Sequence, residues 1–498
     1  MAFLQQLFGM IGDLTWGWSL VPFLVIFGLF FTIATRFVQF ENFTRMFKVL
    51  FPGKPQNSEG ISGREALLLS VGGRVGGGNI AGVAVAITLG GPGAVFWMWM
   101  IALVGMATSL VECSLAQLFK RADGDGEFRG GPAHTIIYGL GRDYKWLAAI
   151  YSVCLIASFA LGFNAFQGNT VAGAALDSMG IGRIWTGGFL AIVAGIIVFG
   201  GIRRIAKAAE VIVPVMAVGY LAMAILVILM NVADIPRVFM TIVENAFGLK
   251  EAVGGGMGAA LAQGLRRGLF SNEAGLGSAP NVAATATVPH PIAQGITQSL
   301  SVFIDTILIC SCTAFIILLG DVYVPGAEAI DGVVLTQQSL VFHFGAWTQY
   351  FLTFAILLFA FSSIIYNYYL GENALTFLTP SKGAVTMLRL AVIGVVFLGA
   401  VAPGATAVFF FSDPLMGILA LVNLLAMIML FPTVTRILSD YRAQVSQGIE
   451  TPVFDPDGFK DLDIDPAAWE NAAPAQSPEG APVEFGSSTV ADAGSGKL

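Results

Sequence analysis

Apolar runs of about 20 residues recur along the chain, each long enough at 1.5 Å per residue for a helix to cross the roughly 30 Å hydrocarbon core of a bilayer. Eleven are legible, near residues 16–37, 64–90, 93–119, 146–172, 184–200, 208–231, 255–288, 292–319, 347–378, 386–402 and 411–434. The pattern predicts an all-α integral membrane protein with eleven transmembrane helices. Two of the runs are interrupted. "VGGRVGGGNIAG" (71–82) puts glycines, an arginine and an asparagine inside span two, and "RRGLFSNEAGLGSAPN" (266–281) interrupts span seven in the same way. Glycine costs a helix interior about 0.5–1 kcal/mol relative to alanine, and a charge at bilayer depth costs more. Both segments are expected to be broken helices whose open backbone faces protein, ion or substrate, because lipid cannot satisfy it.

With the first span set aside, the breaks fall in the first helix of each of two sets of five spans. Sets of five run in opposite orientations, and paired glycine-interrupted spans point to an inverted-repeat secondary transporter with its site between the breaks. The expected organisation is an N-terminal helix and cytoplasmic loop (1–63), a first five-helix repeat (64–231), a second, inverted five-helix repeat (255–434) and a tail (445–498). The tail is rich in Pro, Ala, Gly, Ser and Asp, a composition that cannot bury a core and reads as disordered. Glycines used purely for helix packing leave Arg74 and Asn79 unexplained. A dinucleotide-binding turn needs a preceding strand. An ion channel, the alternative from another class, would use repeated filter loops, whereas these two breaks are dissimilar.

Composition sharpens this picture. Hydrophobic residues make up 56% and charged residues 11%, against about 25% charged in a soluble domain. Under the positive-inside rule, connections on one face hold 17 Lys and Arg and the other face three (Arg183, Arg237 and Lys250), which places the N-terminus outside and the C-terminus in the cytoplasm. The expected location is the cell membrane, the inner membrane of a bacterium. The first fifteen residues hold no Lys or Arg, so no signal-peptide n-region is expected. Nothing points to nucleic acid. Cys113, Cys154, Cys310 and Cys312 sit in apolar runs as small buried side chains, and His134, His290 and His343 lack ligand spacing, so no metal other than a coupling ion and no cofactor is expected. No enzyme motif stands in its required context. Glu112, Glu273, Asp305 and Glu372 fall within spans; pairing with Arg74, Arg266 and Arg267 is the expected arrangement, proton relay the alternative.

"GRVGGGNIAGVAVAI", "GGPGAVFWMWMIALVGMATSLVECSLAQLFK", "FRGGP" and "RGLFSNEAGLGSAP" resemble the alanine or glycine:cation symporter family, also called sodium:alanine symporters, from about residue 16 to 436. That family is similar in architecture to the leucine-transporter fold, with one extra N-terminal helix before a five-plus-five inverted repeat. The resemblance implies sodium-coupled symport of a small neutral amino acid, alanine or glycine, by alternating access. A carrier for a larger neutral amino acid such as glutamine, or one driven by protons, is the alternative. Where many members have Thr or Ser before the "GN" pair, this chain has Gly77, so no hydroxyl role carries over there.

A zwitterion at mid-membrane needs separate partners for its two charges. Unwinding at 76–79 frees amides at a half-helix N-terminus, which carries about +0.5 charge and suits a carboxylate. Gly77 and Gly78 allow its approach, beside Asn79. The second break, 271–277, offers carbonyls to the ammonium, with Ser271, Asn272, Gly275 and Gly277 as candidates. The resemblance makes Gln167 a further substrate contact; Asn164 and Asn169 read equally well as interhelical hydrogen-bonders, and Phe163 and Phe166 as pocket walls or packing. Ser362 and Ser363 pair hydroxyls in an apolar run and resemble the sodium site of the leucine-transporter fold, which implies carbonyl ligands at Gly72, Val75 and Phe359. A lone serine would simply bond back to its own helix.

Overall fold

The computed structural model describes residues 20–48, 61–123, 127–248, 256–324, 332–402 and 406–469, and within these the protein is mostly helical. α1 (Val21–Ala34) belongs to the first predicted span, whose earlier residues lie outside the described ones. The second predicted span is two pieces, α2 (Gly63–Arg74) and α3 (Val83–Gly90), with a π-helical turn at Gly78–Gly82 leading into α3. α4 (Gly93–Leu118) follows, then α5 (Lys145–Leu155), which passes through a π-helical stretch at Ile156–Phe163 into α6 (Asn164–Met179). α7 (Arg183–Val198), α8 (Gly201–Met230) and α9 (Ile235–Ala246) complete the first half. The second half opens on another divided span, α10 (Gly256–Asn272) and α11 (Ser278–Ala283). α12 (Pro291–Val302) continues through a π-helical stretch at Phe303–Cys310 into α13 (Ser311–Leu318). α14 (Gly332–Phe344), α15 (Trp347–Leu378), α16 (Lys382–Val401), α17 (Thr406–Met429) and α18 (Phe431–Ser446) follow.

Among the described residues, six helices are long and apolar enough to cross a membrane, or up to seven if the bent pair Pro414–Met429 and Phe431–Ser446 is one span. That pair meets at 61°. Pro432 in the first turn of α18 suits a new helix start, where its missing N–H costs nothing, rather than a straight continuation. Shorter apolar helices, Val21–Ala34, Gly78–Gly90 and Arg183–Val198, account for three further predicted spans. α9 and α14 lie in stretches that the span count treats as connections.

α4 is central and packs against α10, α11 and α12. At the α12 crossing a Cβ on Gly295 would overlap Ser114 Oγ, so the backbones meet at glycine, as close membrane helix packing requires. Ile61–Ser62, just before α2, pairs in parallel with Ala286–Thr287, just after α11. The start of the first divided span and the end of the second therefore share one face, and the two spans run in opposite directions.

The expectation of a disordered tail from residue 445 does not hold as far as residue 469. α18 runs to Ser446, and the residues after it lie against the face that carries Ile61–Ser62, anchored by buried Phe454, Phe459 and Trp469. Its low overall hydrophobicity hides three well-spaced aromatic anchors. Residues 470–498 lie outside the described residues.

Candidate functional site

A capping box fixes the start of α2: Glu65 N–H donates to Ser62 Oγ at 3.2 Å and Ser62 N–H to Glu65 Oε2 at 2.8 Å. The helix ends at Arg74, Val75 turns extended (φ −74°, ψ 98°), and helical structure resumes at Gly78. The opening is thus narrower than the expected 76–79, because Gly78 and Asn79 are already helical. Asn79 explains the difference. Its Oδ1 accepts the Gly76 N–H at 2.9 Å and caps the opening from inside. The Gly76 amide is therefore engaged, and the amides at the resumed helix start belong to Gly77 and Gly78. Gly77 N–H reaches Gln167 Oε1 at 3.4 Å, which brings the predicted α6 contact to the break. A Cβ at Gly77 would lie 3.4 Å from Phe166 Cε1, and one at Gly78 3.3 Å from Phe270 Cε1. Phe270 stacks on Phe163 at 4.9 Å, so Phe163 and Phe166 do form a wall beside these glycines.

The second break runs through Glu273, Gly275 and Gly277 in left-handed conformation, with φ of 54°, 85° and 84°. Ser271 and Asn272, expected within it, are the last residues of α10. The glycine carbonyls already accept side-chain donors: Asn423 Nδ2 donates to Gly275 O at 3.0 Å, which keeps one lone pair, and Tyr151 Oη and Asn281 Nδ2 donate to Gly277 O at 2.7 and 2.9 Å. Gly275 and Gly277 thus serve the positive φ of the turn, which sequence spacing does not reveal. Asn272 Oδ1 accepts the Ala274 N–H at 3.0 Å, and its buried Nδ2 has no partner among the described residues, a donor that suits an anion rather than an ammonium.

The two breaks meet at Asp305, a fully buried carboxylate in the π-helical stretch of α12–α13. Asn79 Nδ2 donates to Oδ1 at 2.6 Å; Ser271 Oγ and Thr306 Oγ1 donate to Oδ2 at 2.8 and 2.7 Å. π-helical segments inside helices recur at functional sites. Thr313 Oγ1 donates to the Asn79 carbonyl at 2.8 Å and supports the same junction. Asp305 is the site residue that sequence reading placed elsewhere, in an ion pair. The available signal was a lone carboxylate within the apolar run "FIDTILIC".

The serine pair lies on the other side of the first break. Ser362 Oγ donates to Gly72 O at 2.7 Å and Phe359 O at 2.9 Å. Ser363 Oγ donates to Gly73 O at 2.9 Å and Phe359 O at 3.1 Å. The structure thus gathers Gly72, Phe359, Ser362 and Ser363, adds the Gly73 carbonyl, and places Val75 at the break, directly after α2. These are neutral hard oxygens, the donor chemistry that suits a small monovalent cation.

The expected pairing is not direct: among the described residues no ion pair joins Glu112, Glu273 or Asp305 to an arginine, although the Arg74 charge acts on all three carboxylates through space. Arg74 donates to Ser301 Oγ at 2.5 Å and Ser109 Oγ at 3.4 Å, with no carboxylate within 4.0 Å among the described residues. Glu112 accepts from Asn423, and Glu273 accepts from Ser278 and Tyr366. Glu372 instead pairs with Arg389 at 3.3 Å. Hydroxyl and amide donors solvate these groups, which counting charges cannot foresee. Asn164 accepts from Asn367 at 3.2 Å and Asn169 donates to Gly399 O at 2.9 Å, so both act as interhelical hydrogen-bonders.

The sodium:alanine symporter family description matches residues 1–456. The chain is 45% identical over 459 residues to the probable sodium/glutamine symporter GlnT of Bacillus subtilis (strain 168), covering 92% of this chain and 94% of that protein. It is 45% identical over 453 residues to the amino-acid carrier protein AlsT of the same organism, covering 91% and 95%. It is 35% identical over 445 residues to the sodium/proton-dependent alanine carrier protein of Bacillus sp. (strain PS3), covering 86% and 97%. In fold it is similar to MhsT in complex with L-phenylalanine, with TM-score 0.54 and 14% identity, covering 74% of this chain and 89% of that one. The chain therefore belongs to the sodium:alanine symporter family and is a multi-pass membrane transporter rather than an enzyme.

Proposed function

We propose that the protein imports a small neutral amino acid, alanine or glycine, together with sodium, by alternating access about the two breaks. The observation that carries this reading is the junction of both broken spans at Asn79, Ser271 and Asp305, with the serine pair against the first break. The substrate carboxylate sits at the Gly77 and Gly78 amides, where the helix N-terminus offers about +0.5 charge. The ammonium faces Ser271 and the Asp305 side of the junction. Gln167 orients the zwitterion from α6. Phe166 and Phe270 crowd the glycines and favour a short side chain over glutamine. Sodium takes Ser362, Ser363, Gly72 and Phe359, with Val75 completing the set. The architecture is eleven spans in a five-plus-five inverted arrangement behind one extra helix, with the N-terminus outside and the C-terminal face cytoplasmic.

Uptake of labelled alanine, glycine and glutamine into proteoliposomes, driven by a sodium or a proton gradient, tests the reading. Sodium-driven uptake of alanine or glycine with weak competition by glutamine is expected. Replacing both serines, Ser362→Ala with Ser363→Ala, should abolish sodium activation while leaving the folded yield unchanged. Proton-driven uptake, or sodium activation that survives the double substitution, overturns it.

A further inference from the structure

The segment after α18 carries two copies of one pattern, an apolar residue, Asp-Pro, two residues and an aromatic: "FDPDGF" (454–459) and "IDPAAW" (464–469). Each Asp caps its own turn. Asp455 Oδ1 accepts Asp457 N–H at 2.9 Å, and Asp465 Oδ1 accepts Ala467 N–H at 3.2 Å. The two turns present Phe459 and Trp469 to the face of the bundle.

The contacts of this segment fall on elements far apart in the chain. Val453 exchanges hydrogen bonds with the Gln444 side chain of α18, both at 2.8 Å. Phe454 N–H donates to Pro289 O at 2.8 Å, and its ring packs at a tilt against those of Phe459 and Trp469, with centroids 5.1 and 4.8 Å apart. Asp461 takes both amino groups of Arg436 on α18 at 2.6 and 2.9 Å. Asp463 takes Arg121 at 2.7 Å and Asp465 the Ala122 N–H at 2.9 Å, both just beyond α4. Trp469 covers Lys120, whose Nζ lies 4.6 Å from the indole and 4.2 Å from the Phe128 ring, and donates to Ala286 O at 3.0 Å.

Residues 450–469 thus tie the end of α4 and the 286–290 connection to α18. The same connection holds Ile61–Ser62, the start of the first broken span, through the two-residue ladder. Parting these elements to open this face would pull the segment off its anchors. Its attachment is also poised for release. The ion-pair carboxylates are mostly exposed, with Asp461 at 59% and Asp463 at 61%, so each pair is weak in water. Lys120 is 1% exposed and has no carboxylate within 4.0 Å among the described residues; burial lowers its pKa to about 7, and lifting Trp469 returns the amine to water, where its charged form is favoured. The family description ends at residue 456, before Phe459, Asp461, Asp463, Asp465 and Trp469.

We propose that residues 450–469 form a strap that holds this face closed and must release for it to open, so that strap release limits turnover. This rests on the alternating-access reading above. The test uses the full chain with Asp461→Asn, Asp463→Asn and Asp465→Asn together, which keeps the turn cap because Asn also caps, and separately Trp469→Ala. Two quantities are read: amide hydrogen exchange at 61–66 and 286–290, and the initial rate of sodium-driven uptake. Exchange at both segments should rise about tenfold and turnover roughly threefold, as expected for a shifted closed-to-open equilibrium. Lys120→Met, which removes the hydration gain on release, should slow turnover and exchange at 61–66, the 286–290 segment being set aside in this variant because it also loses the Lys120 bond to Ala286 O. Unchanged exchange in both strap variants overturns the proposal, and so does faster exchange at unchanged turnover. Sodium-driven uptake by the unsubstituted protein is scored separately and tests the carrier reading by itself.

Discussion

Gly76 and Gly78 are two residues apart, yet their surroundings set opposite tolerances. A Cβ at Gly76 would lie 2.6 Å from Ser363 Oγ and 2.9 Å from Gln167 Nε2, whereas one at Gly78 meets Phe270 at 3.3 Å. Overpacking of this kind costs about 1–3 kcal/mol, and roughly 1.4 kcal/mol is tenfold in affinity. Gly76→Ala should therefore raise the sodium concentration for half-activation about tenfold or more, while Gly78→Ala retains activity and Gly78→Leu loses substrate binding on purified, folded protein. Loss in Gly78→Ala as deep as in Gly76→Ala would contradict this geometry. A second residue-level outcome concerns His290, the cap of α12. Its Nδ1 accepts Ile292 N–H at 3.1 Å and its Nε2 faces Asp440 at 3.1 Å, with the rings of Tyr441 and Phe454 against it. Burial lowers its pKa from 6.5, Asp440 opposing. The folded state thus binds fewer protons than the unfolded one, so this contribution is complete above about pH 6.5 and is lost as pH falls through the lowered value. Thermal stability should fall between pH 7 and 5 with a slope that His290→Asn, which can still cap, reduces, the remainder coming from His134 and His343, whose pKa values burial also lowers.

At the scale of elements, both broken helices were legible because glycine clusters with polar residues have no place in a lipid-facing helix. Their exact extents were not, since Asn79 closes the first opening with its own side chain and left-handed residues shape the second. The serine pair was readable from two adjacent hydroxyls in an apolar run. Asp305 as the junction was not, because the two donors that bring the breaks together, Asn79 and Ser271, lie 226 and 34 residues away. The order of the tail was hidden by composition, which averages over the aromatic anchors that decide it. Asp305 yields the element-scale prediction. With three donors aimed at it, Asp305→Asn turns one acceptor into a donor facing another donor, and a buried unsatisfied group costs about 1–3 kcal/mol. The variant should lose that much stability by denaturant unfolding and lose sodium-driven uptake. Wild-type uptake in Asp305→Asn would remove the junction from the mechanism.

At the scale of the molecule, Arg121 and Arg436 lie on the face that the strap covers, holding Asp463 and Asp461, and Arg442 of α18 holds Glu41. The positive-inside rule favours a cytoplasmic assignment for that face, and on the proposed orientation the route runs from outside, past the paired breaks, to the strapped side. On the proposed reading the substrate crosses as a zwitterion without net charge, and the membrane potential acts on the cycle through the coupled cation. Each sodium moving through 100 mV contributes about 2.3 kcal/mol. A tenfold sodium gradient adds about 1.4 kcal/mol, and together these sustain roughly 500-fold accumulation for one sodium per substrate. Uptake should therefore be electrogenic: with the sodium gradient fixed, an inside-negative potential set with potassium and valinomycin raises both the initial rate and the plateau. Sodium-dependent uptake that ignores voltage would require a compensating proton, and the buried carboxylates Glu112, Glu273 and Asp305, solvated by amide and hydroxyl donors rather than paired with arginine, are the groups placed to carry it.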